Sequence, residues 1–500
     1  MVDARMHAVA PSDTADGAAL QSQASILFVD LDGTLTPTDT LLESLIQLAK
    51  QSPRSLLRLP LWLAKGRAAF KSEIAARVRI AADRLPYRPA LLGYLRRERA
   101  AGRRIVLATA AHASIAHDVS AHLGLFDAVI ATERGVNLKG PAKHAACRAM
   151  AGTNYVYAGD SAADKPVWAG GQAAILVAAS ARTAADVRKL VPIEKEFPKE
   201  HVGVVDWLRA LRVHQWLKNL LLFVPLLTAF EFTEPRKIAT AVIAFQAFSL
   251  VASASYVAND LWDLENDRAH PRKRLRPFAS GKIGILQGIA AGAVALALGL
   301  ALAAAVNRGF VAMLLLYLAL TTAYSWVLKK LVLIDVLTLS LLYTLRTLAG
   351  AVAIGVAMSP WLLAFSGFMF LSLALVKRCS ELTALERQGA VAPPGRDYQV
   401  GDLAVLRPLG IGAALSAVVV FGLFINTRET LARYATPQLL WLSAIGLTYW
   451  LGRLWIMTSR GEVDDDPIVY AITNRGSQRA LLAIVATVVA AYYMAFEGVG

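Results

Sequence analysis

NDLWDLENDRAHPRKRLRPFASG, from Asn259 to Gly281, closes a long apolar stretch with charge of both signs. Asp260, Asp263 and Asp267 come first, and Arg268, Arg272, Lys273, Arg274 and Arg276 follow. Asn259, Asp263 and Asp267 are spaced i, i+4, i+8, with Asp260 three residues before Asp263, so on a helix they form one stripe. Carboxylates on one face repel one another unless cations lie between them. Mg2+ bridged to a diphosphate meets that need, because it keeps few protein ligands and takes oxygens from phosphates. A solvated loop of mixed charge is the alternative. The stripe continues an apolar helix and is followed by RPFASG, which speaks against a mere loop.

Around this stretch, from about Leu217 to the C-terminus, apolar runs of membrane-spanning length recur. They cover roughly residues 217–233, 238–258, 284–306, 309–328, 332–356, 360–376, 406–426, 437–457 and 479–497, nine spans in all. Lys and Arg gather in alternate connections: Arg209, Arg212 and Lys218 before the first, then the opening stretch, then Lys329 and Lys330, then Lys377 to Arg407, then Arg460 to Arg479. The other connections carry only Arg236, Lys237, Arg308, Arg428 and Arg433. The positive-inside rule puts the basic loops and the N-terminus in the cytoplasm, and the chain as a multi-pass protein in the inner (cytoplasmic) membrane. Asp335 and Arg346 fall within a predicted span, where charge is costly and points to a cavity or pairing role. The 500 residues carry a formal charge of +15 and are 56% apolar. Mean hydropathy is +0.46. No nucleic-acid motif accompanies the charge, so nucleic acid is not an expected partner. The two cysteines, Cys147 and Cys379, fall in different predicted domains and form no disulfide framework or zinc spacing.

Residues 1–205 read differently, with short strands and amphipathic helices. Residues 1–24 have no charged start and apolar core of a signal peptide and read as a disordered tail. The expected division is 1–24 tail, 25–195 α/β domain, 196–212 linker and 213–500 all-α membrane domain. Within the α/β domain, ILFVDLDGTLT (Ile26 to Thr36), RIVLATA (ending near Thr109) and NYVYAGDSAAD (reaching Asp160 and Asp164) are apolar strands that run into polar groups. Strands alternating with helical segments predict a parallel, doubly wound, Rossmann-like sheet, which gathers Asp30, Asp32, Thr109, Asp160 and Asp164 at one edge.

DxDGT, a strand-end Thr, a Lys and GDSxxD, in this order over residues 24–195, resemble the haloacid dehalogenase (HAD) superfamily of phosphatases. The resemblance implies that Asp30 attacks phosphorus and forms an aspartyl-phosphate. Asp32 would be the general acid/base. Thr109 and Lys143 would hold and neutralise the phosphoryl group. Asp160 or Asp164, with Asp30, would hold Mg2+. Lys143 precedes the helical HAACRAM as the family lysine does, with Lys139 the alternative. The helical stretch from about Thr40 to Arg96 would be a small cap that selects substrate. A degenerate HAD domain kept for docking is the competing reading; the competent residues at every motif position argue against it.

NDLWDLENDRAHPRKRLRPFASG fits the NDxxDxxxDxxxxxxxRPxxSG motif of the UbiA-type prenyltransferase superfamily, over about residues 205–498. That resemblance implies a nine-helix bundle, with Mg2+ held by Asp260, Asp263 and Asp267, Asn259 near the substrate, and a groove for a lipid tail. Family members carry a second aspartate-rich motif after the sixth span. Here the chain reads LVKRCSELTALERQGA, with Lys377 and Arg378 beside Glu381 and Glu386, and basic residues suit substrate phosphates better than a second metal cluster. RVHQWLKN, the Tyr324 to Gly350 segment, VKRCSEL and YAITNRGSQ resemble the polyprenyl-phosphate (decaprenyl-phosphate) phosphoribosyltransferase branch. That branch uses phosphoribosyl diphosphate (PRPP) as donor and a polyprenyl phosphate as acceptor. Lys329, Lys377 and Arg378, then Lys218, Arg274 and Arg276, are the candidates to meet its phosphates, each of which could instead be a topology signal or a headgroup contact.

The resemblances together imply a bifunctional enzyme: transfer of 5-phosphoribose to the lipid phosphate, then removal of the 5-phosphate to give polyprenylphosphoryl ribose for cell-envelope glycans. Two rivals stand beside it. One is a conventional prenyltransferase with an accessory phosphatase; the other is a non-catalytic membrane scaffold or lipid transporter. The sequence leaves chain length of the lipid and homo-oligomerisation open.

Overall fold

The computed structural model describes residues 25–133, 135–389, 392, 396–463 and 467–494. The expected tail, residues 1–24, lies outside them. The chain divides into two compact units: residues 1–211 with 257–291, and residues 212–256 with 292–500.

The first unit is built on six parallel strands, β1 (Ile26–Val29), β2 (Ile105–His112), β3 (Ala128–Thr132), β4 (Tyr155–Gly159), β5 (Ala173–Val177) and β6 (Ile193–Phe197), in the order β3-β2-β1-β4-β5-β6. Side chains alternate across a strand, so an apolar run in a sheet covered on both faces feeds two cores. Leu27 and Val29 of β1 join Leu107, Val156 and Ala158 on one face. Phe28 joins Val106, Tyr155, Tyr157 and Trp168 on the other. Strand order reverses between β1 and β4, and the crevice at the carboxyl ends of such a sheet is where ligands bind. β2 runs three residues past Thr109, to His112.

The helical insert after β1 is shorter than expected. Helices Thr40–Gln51, Leu59–Ala64 and Arg67–Ala75 close on their own small core of Leu48, Trp62, Ile74 and Val78. Asp39 starts the first of them, its carboxylate accepting from the Leu41 and Leu42 amides at 2.9 and 3.1 Å. Helix Pro89–Ala100 does not belong to this cap. It buries Leu91, Tyr94 and Leu95 against the sheet.

Residues 257–291 pack within the same unit. Val257, Leu261, Leu264, Phe278 and Ile283 form a core with Ala210 and with Leu42 and Ile46 of the first cap helix. Arg268 donates two hydrogen bonds of 2.7 Å to the Glu43 carboxylate, and both side chains are 5–6% exposed. Its Nε donates to the Ala279 carbonyl at 2.9 Å. Gly281 has φ +73 and lies so close to Pro37 that a Cβ would meet its ring at 2.5 Å. Removing one member of a buried pair strands the other charge. Arg268→Ala should therefore cost about 3–5 kcal/mol of stability in this unit, whereas Glu43→Leu with Arg268→Met should recover most of it. Thermal unfolding of the three proteins in the same lipid nanodiscs measures this.

The second unit is helical. Its most enclosed helix, Ile334–Ile354, packs so closely that a Cβ on Gly350 would sit 2.1 Å from the Leu222 carbonyl. Among the described residues seven helices are long and apolar enough to cross a membrane: Pro235–Trp262, Ile285–Val306, Arg308–Trp326, Ile334–Ile354, Pro360–Arg387, Val400–Ile425 and Pro437–Ser459. Nine spans are not confirmed among the described residues. The first expected span, 217–233, folds as a tight helix Val213–Phe223 followed by one short turn of α-helix, Val224–Thr228. The ninth, 479–497, extends beyond the described residues; its described part lies on helix Arg475–Tyr493, whose first turn from Arg475 to Arg479 is polar.

Candidate active site

At the carboxyl ends of β1 and β4 a cavity of about 680 Å³ opens. Asp30, Asp32, Lys143, Asp160 and Asp164 line it, as do cap residues Leu41, Leu63, Arg67, Phe70 and Lys71, and residues 284–287. Asp30 directly follows β1. Its Oδ1 accepts from the Leu31 amide at 2.8 Å and its Oδ2 from Lys143 Nζ at 2.7 Å. Lys143 Nζ also reaches Asp164 Oδ1 at 3.3 Å and the Tyr157 hydroxyl at 2.7 Å. Tyr157 donates in turn to Asp164 Oδ1 at 2.9 Å. Burial works against the Lys143 ammonium, but Asp30 and Asp164 outweigh it and hold its pKa above the ordinary value. Of the two lysines considered, Lys143 is thus the one joined to the carboxylates; Lys139 lies on the cavity wall.

Asp30, Asp160 and Asp164 bring oxygen ligand atoms within 4.8 Å of one another. Burial, with the neighbouring carboxylates adding to it, raises Asp160 to about 7 and lifts Asp30 above its usual range, although Lys143 opposes the shift at Asp30. Hard oxygens crowded against their own charge fit Mg2+. Asp32 accepts from the Thr40 amide at 2.8 Å. Burial, then the Asp39 charge, pushes it up to about 7, the range in which a carboxyl can both give and take a proton near neutrality.

Thr109 is placed differently from the other motif residues. It is buried and its hydroxyl accepts from the Ala111 amide at 3.0 Å, while Ala110, Ala111 and His112 form the cavity wall. Gly33 has φ +77, and a Cβ there would lie 2.3 Å from Asp160 Oδ2. Gly33→Ala should lower stability by about 1–2 kcal/mol through the left-handed backbone. By displacing Asp160 it should lower the phosphate-ester hydrolysis that the HAD resemblance implies about a hundredfold. A melting curve and a phosphate-release assay on one preparation separate the two effects.

Three groups here carried no motif. Tyr157 bridges Lys143 and Asp164. Arg88 donates to the Gly33 and Thr34 carbonyls at 3.1 Å and holds the loop after β1. Lys71, from the cap, donates to the Ala110 carbonyl at 2.6 Å and the Asn137 side chain at 2.8 Å, and burial lowers its pKa. A buried strand tyrosine before GDSAAD was the available signal for the first; the other two depend on long-range folding.

The aspartate motif also belongs to the first unit. Helix Pro235–Trp262 ends before Asp263, and a short helix, Leu264–Ala269, resumes. The stripe is therefore interrupted at Asp263, although Asp263 N still bonds Asn259 O and Asp267 N bonds Asp263 O. Asp260 and Asp267 are buried, and Arg276 Nη1 lies 3.2 Å from the first and 2.6 Å from the second. Burial raises the Asp267 pKa although Arg276 opposes it. Asn259 and Asp263 are half-buried; Arg274 is exposed. Among the described residues only Asp30, Asp160 and Asp164 bring three ligand atoms within 4.8 Å; between Asp260 and Asp267 it is the Arg276 guanidinium that offsets the charge.

Lys218, Lys329, Lys377, Arg378 and Glu381 belong to the second unit. Arg378 is fully buried, donating from Nε to Asp335 Oδ2 at 3.0 Å and from its other nitrogens to Asp335 and Glu381. Arg396 approaches the same carboxylates at 3.6 and 3.5 Å, and Tyr398 donates to Asp335. Asp335 is thus paired, as charge in an apolar helix requires. Leu333, just before this helix, has φ +64, and its amide donates to Tyr398. Arg346 donates to Asn219 Oδ1 at 3.0 Å and to the Leu342 carbonyl at 2.6 Å, with the rings of Phe248, Tyr317 and Tyr343 within 5.5 Å. Lys218 is buried 5.9 Å from the Tyr343 ring centre. Lys329 and Lys377 are half-buried. Asn219 closes the RVHQWLKN stretch but carried no expected role, and nothing local sets Arg396 and Tyr398 apart.

The UbiA prenyltransferase family model matches residues 220–474, about half of the chain. The chain belongs to the UbiA prenyltransferase family. A second model, haloacid dehalogenase-like hydrolase, matches residues 27–168, so this UbiA-family protein carries an N-terminal HAD-like domain. Uncharacterized protein y4nM of Sinorhizobium fredii is 39% identical over 90% of this chain and 88% of its own length. Nodulation protein NoeC of Azorhizobium caulinodans is 36% identical over 60% of this chain and 97% of its own. Decaprenyl-phosphate phosphoribosyltransferase of Mycobacterium tuberculosis is 30% identical over 58% of this chain and 94% of its own. With its apolar helices, this UbiA-family chain is a multi-pass membrane protein.

Proposed function

We propose that this protein carries out two consecutive reactions at the cytoplasmic face of the inner membrane. The UbiA-type half transfers 5-phosphoribose from PRPP to a polyprenyl phosphate. The HAD-like half then removes the 5-phosphate and yields polyprenylphosphoryl ribose. One observation carries the pairing of steps: the phosphatase cluster and the NDxxD segment share one packed unit, joined through Glu43 and Arg268. The similarity to decaprenyl-phosphate phosphoribosyltransferase over nearly all of that protein's length supports the first step.

In the transfer, an oxygen of the lipid phosphate attacks C1 of ribose while the C1–O bond to diphosphate breaks. The lipid phosphate is already ionised and needs no strong base. Asp260, Asp263 and Asp267 would hold Mg2+, which neutralises charge on the departing diphosphate. Within the second unit, Lys218, Lys329 and Lys377 are the candidates to meet substrate phosphates. Arg378 is already held by Asp335 and Glu381, so it orders that end of the helix and contributes to the local field.

In the hydrolysis, Asp30 attacks the 5-phosphate and the ester P–O bond breaks. Asp32 gives its proton to the leaving ribose oxygen, then takes one from the water that cleaves the aspartyl-phosphate. Lys143 holds Asp30 in place and offsets its charge. Asp30, Asp160 and Asp164 would hold the Mg2+ that neutralises the phosphoryl oxygens.

Conventional prenyl transfer to an aromatic or other acceptor is the second reading, favoured by family membership alone. Purified protein with Mg2+, polyprenyl phosphate and PRPP decides between them by mass spectrometry of the lipid. Lipid-linked ribose is expected. Consumption of a prenyl diphosphate with no ribosylated lipid would replace the proposal by the second reading.

A further inference from the structure

The cap exposes an apolar edge that its own core does not explain. In residues 53–67, Trp62 turns inward, while Leu57, Leu61 and Leu63 are 86%, 60% and 54% exposed. Arg54, Arg58, Lys65 and Arg67 are exposed along the same stretch. From Gln51 to Ser72 there are five basic residues, Lys71 the fifth, and no acidic one. Leucines and cations interleaved on one short element are the composition of a segment lying in the interface of an anionic bilayer. Isolated surface leucines need no explanation, but a contiguous apolar edge does.

The position of the edge supplies the second observation. Leu63 and Arg67 line the phosphatase cavity, and so do Ile285, Leu286 and Gln287, the first residues of the apolar helix Ile285–Val306. Leu286 and Ile289 are themselves 62% and 51% exposed. One rim of the cavity is thus the beginning of a membrane-spanning helix, and the other is the leucine-and-arginine edge of the cap. Water satisfies neither set of leucines; a lipid surface satisfies both.

We infer that residues 53–67 form a lip that enters the bilayer interface and opens the phosphatase cavity toward the membrane, so that its substrate is a phosphomonoester carried on a lipid. The leucines enter the acyl boundary, and the basic residues meet anionic headgroups. The lipid part of the substrate stays in the bilayer while its phosphate reaches Asp30. The substrate class rests on the phosphatase reading above; the insertion of the lip does not.

The test separates these two parts. Cys147 and Cys379 are both buried, so Leu61→Cys in the full chain accepts a fluorophore at one site. In nanodiscs of phosphatidylcholine and phosphatidylglycerol, nitroxide-bearing acyl chains should quench this label at least threefold more than one at Lys189→Cys, an exposed position outside the cap. Equal quenching overturns the lip, whatever the enzyme acts on. In the same nanodiscs, Leu57→Glu with Leu61→Glu should lower phosphate release from lipid-linked ribose 5-phosphate at least tenfold and leave release from p-nitrophenyl phosphate within twofold. Equal loss on both substrates, or loss on neither, overturns delivery from the bilayer. If wild-type protein releases phosphate only from the soluble ester, the phosphatase step proposed above fails while the quenching result stands.

Discussion

Asp30→Asn protein, given Mg2+, polyprenyl phosphate and PRPP, accumulates lipid-linked ribose 5-phosphate where the wild type yields lipid-linked ribose. The expected loss of phosphate release is on the order of 10⁴-fold, the scale of removing a covalent nucleophile whose partners remain in place. The amide keeps the shape of the side chain and can still accept from the Leu31 amide. It cannot attack phosphorus, and it removes the charge opposite Lys143. Transfer should proceed at the wild-type rate, since Asp30 belongs to the hydrolytic site. Ribose 5-phosphate lipid from both proteins would keep the transferase and leave the HAD-like domain without this substrate.

Asp263→Ala has the opposite signature. Transfer falls by about a hundredfold or more through the lost metal–diphosphate ligand. Release of phosphate from p-nitrophenyl phosphate stays at the wild-type level, because the hydrolytic carboxylates are untouched. The position suits a clean test. Asp263 is half-buried where the long helix ends, whereas Asp260 and Asp267 are buried and share Arg276, so truncating either would change the pairing of the other. Mass spectrometry of the lipid and phosphate release on one sample read both activities. Unchanged transfer in Asp263→Ala would remove Asp263 from the metal–diphosphate site.

Local chemistry made much of both sites readable. Asp30, Asp32, Asp160 and Asp164 follow apolar strands, so the alternation that identifies a parallel sheet also delivers them to one edge. The NDxxD stripe shows itself because carboxylates at the end of an apolar helix have no structural reason to be there. Lys143 was readable through the order of the motifs, and it lies in the first turn of helix Pro141–Ala151; Tyr157 offered only its place on an apolar strand before GDSAAD, because its role depends on β4 lying beside β1. Hydropathy alone did not foresee the backbone at residues 217–233, where an apolar run folds as a tight helix and a short turn rather than one long α-helix. Hydropathy measures the preference for lipid of a stretch, not its backbone geometry.

Motif order and spacing pointed to a HAD-like domain followed by a UbiA-type membrane domain, because the motifs reside in residues close together along the chain. Long-range packing settled the rest: Arg276 between Asp260 and Asp267, Arg378 against Asp335, and Arg268 against Glu43, 225 residues away. A charge in an apolar stretch states that a partner must exist, since burying it alone is too costly. Which partner it takes is decided when distant segments pack, and no local pattern records that choice.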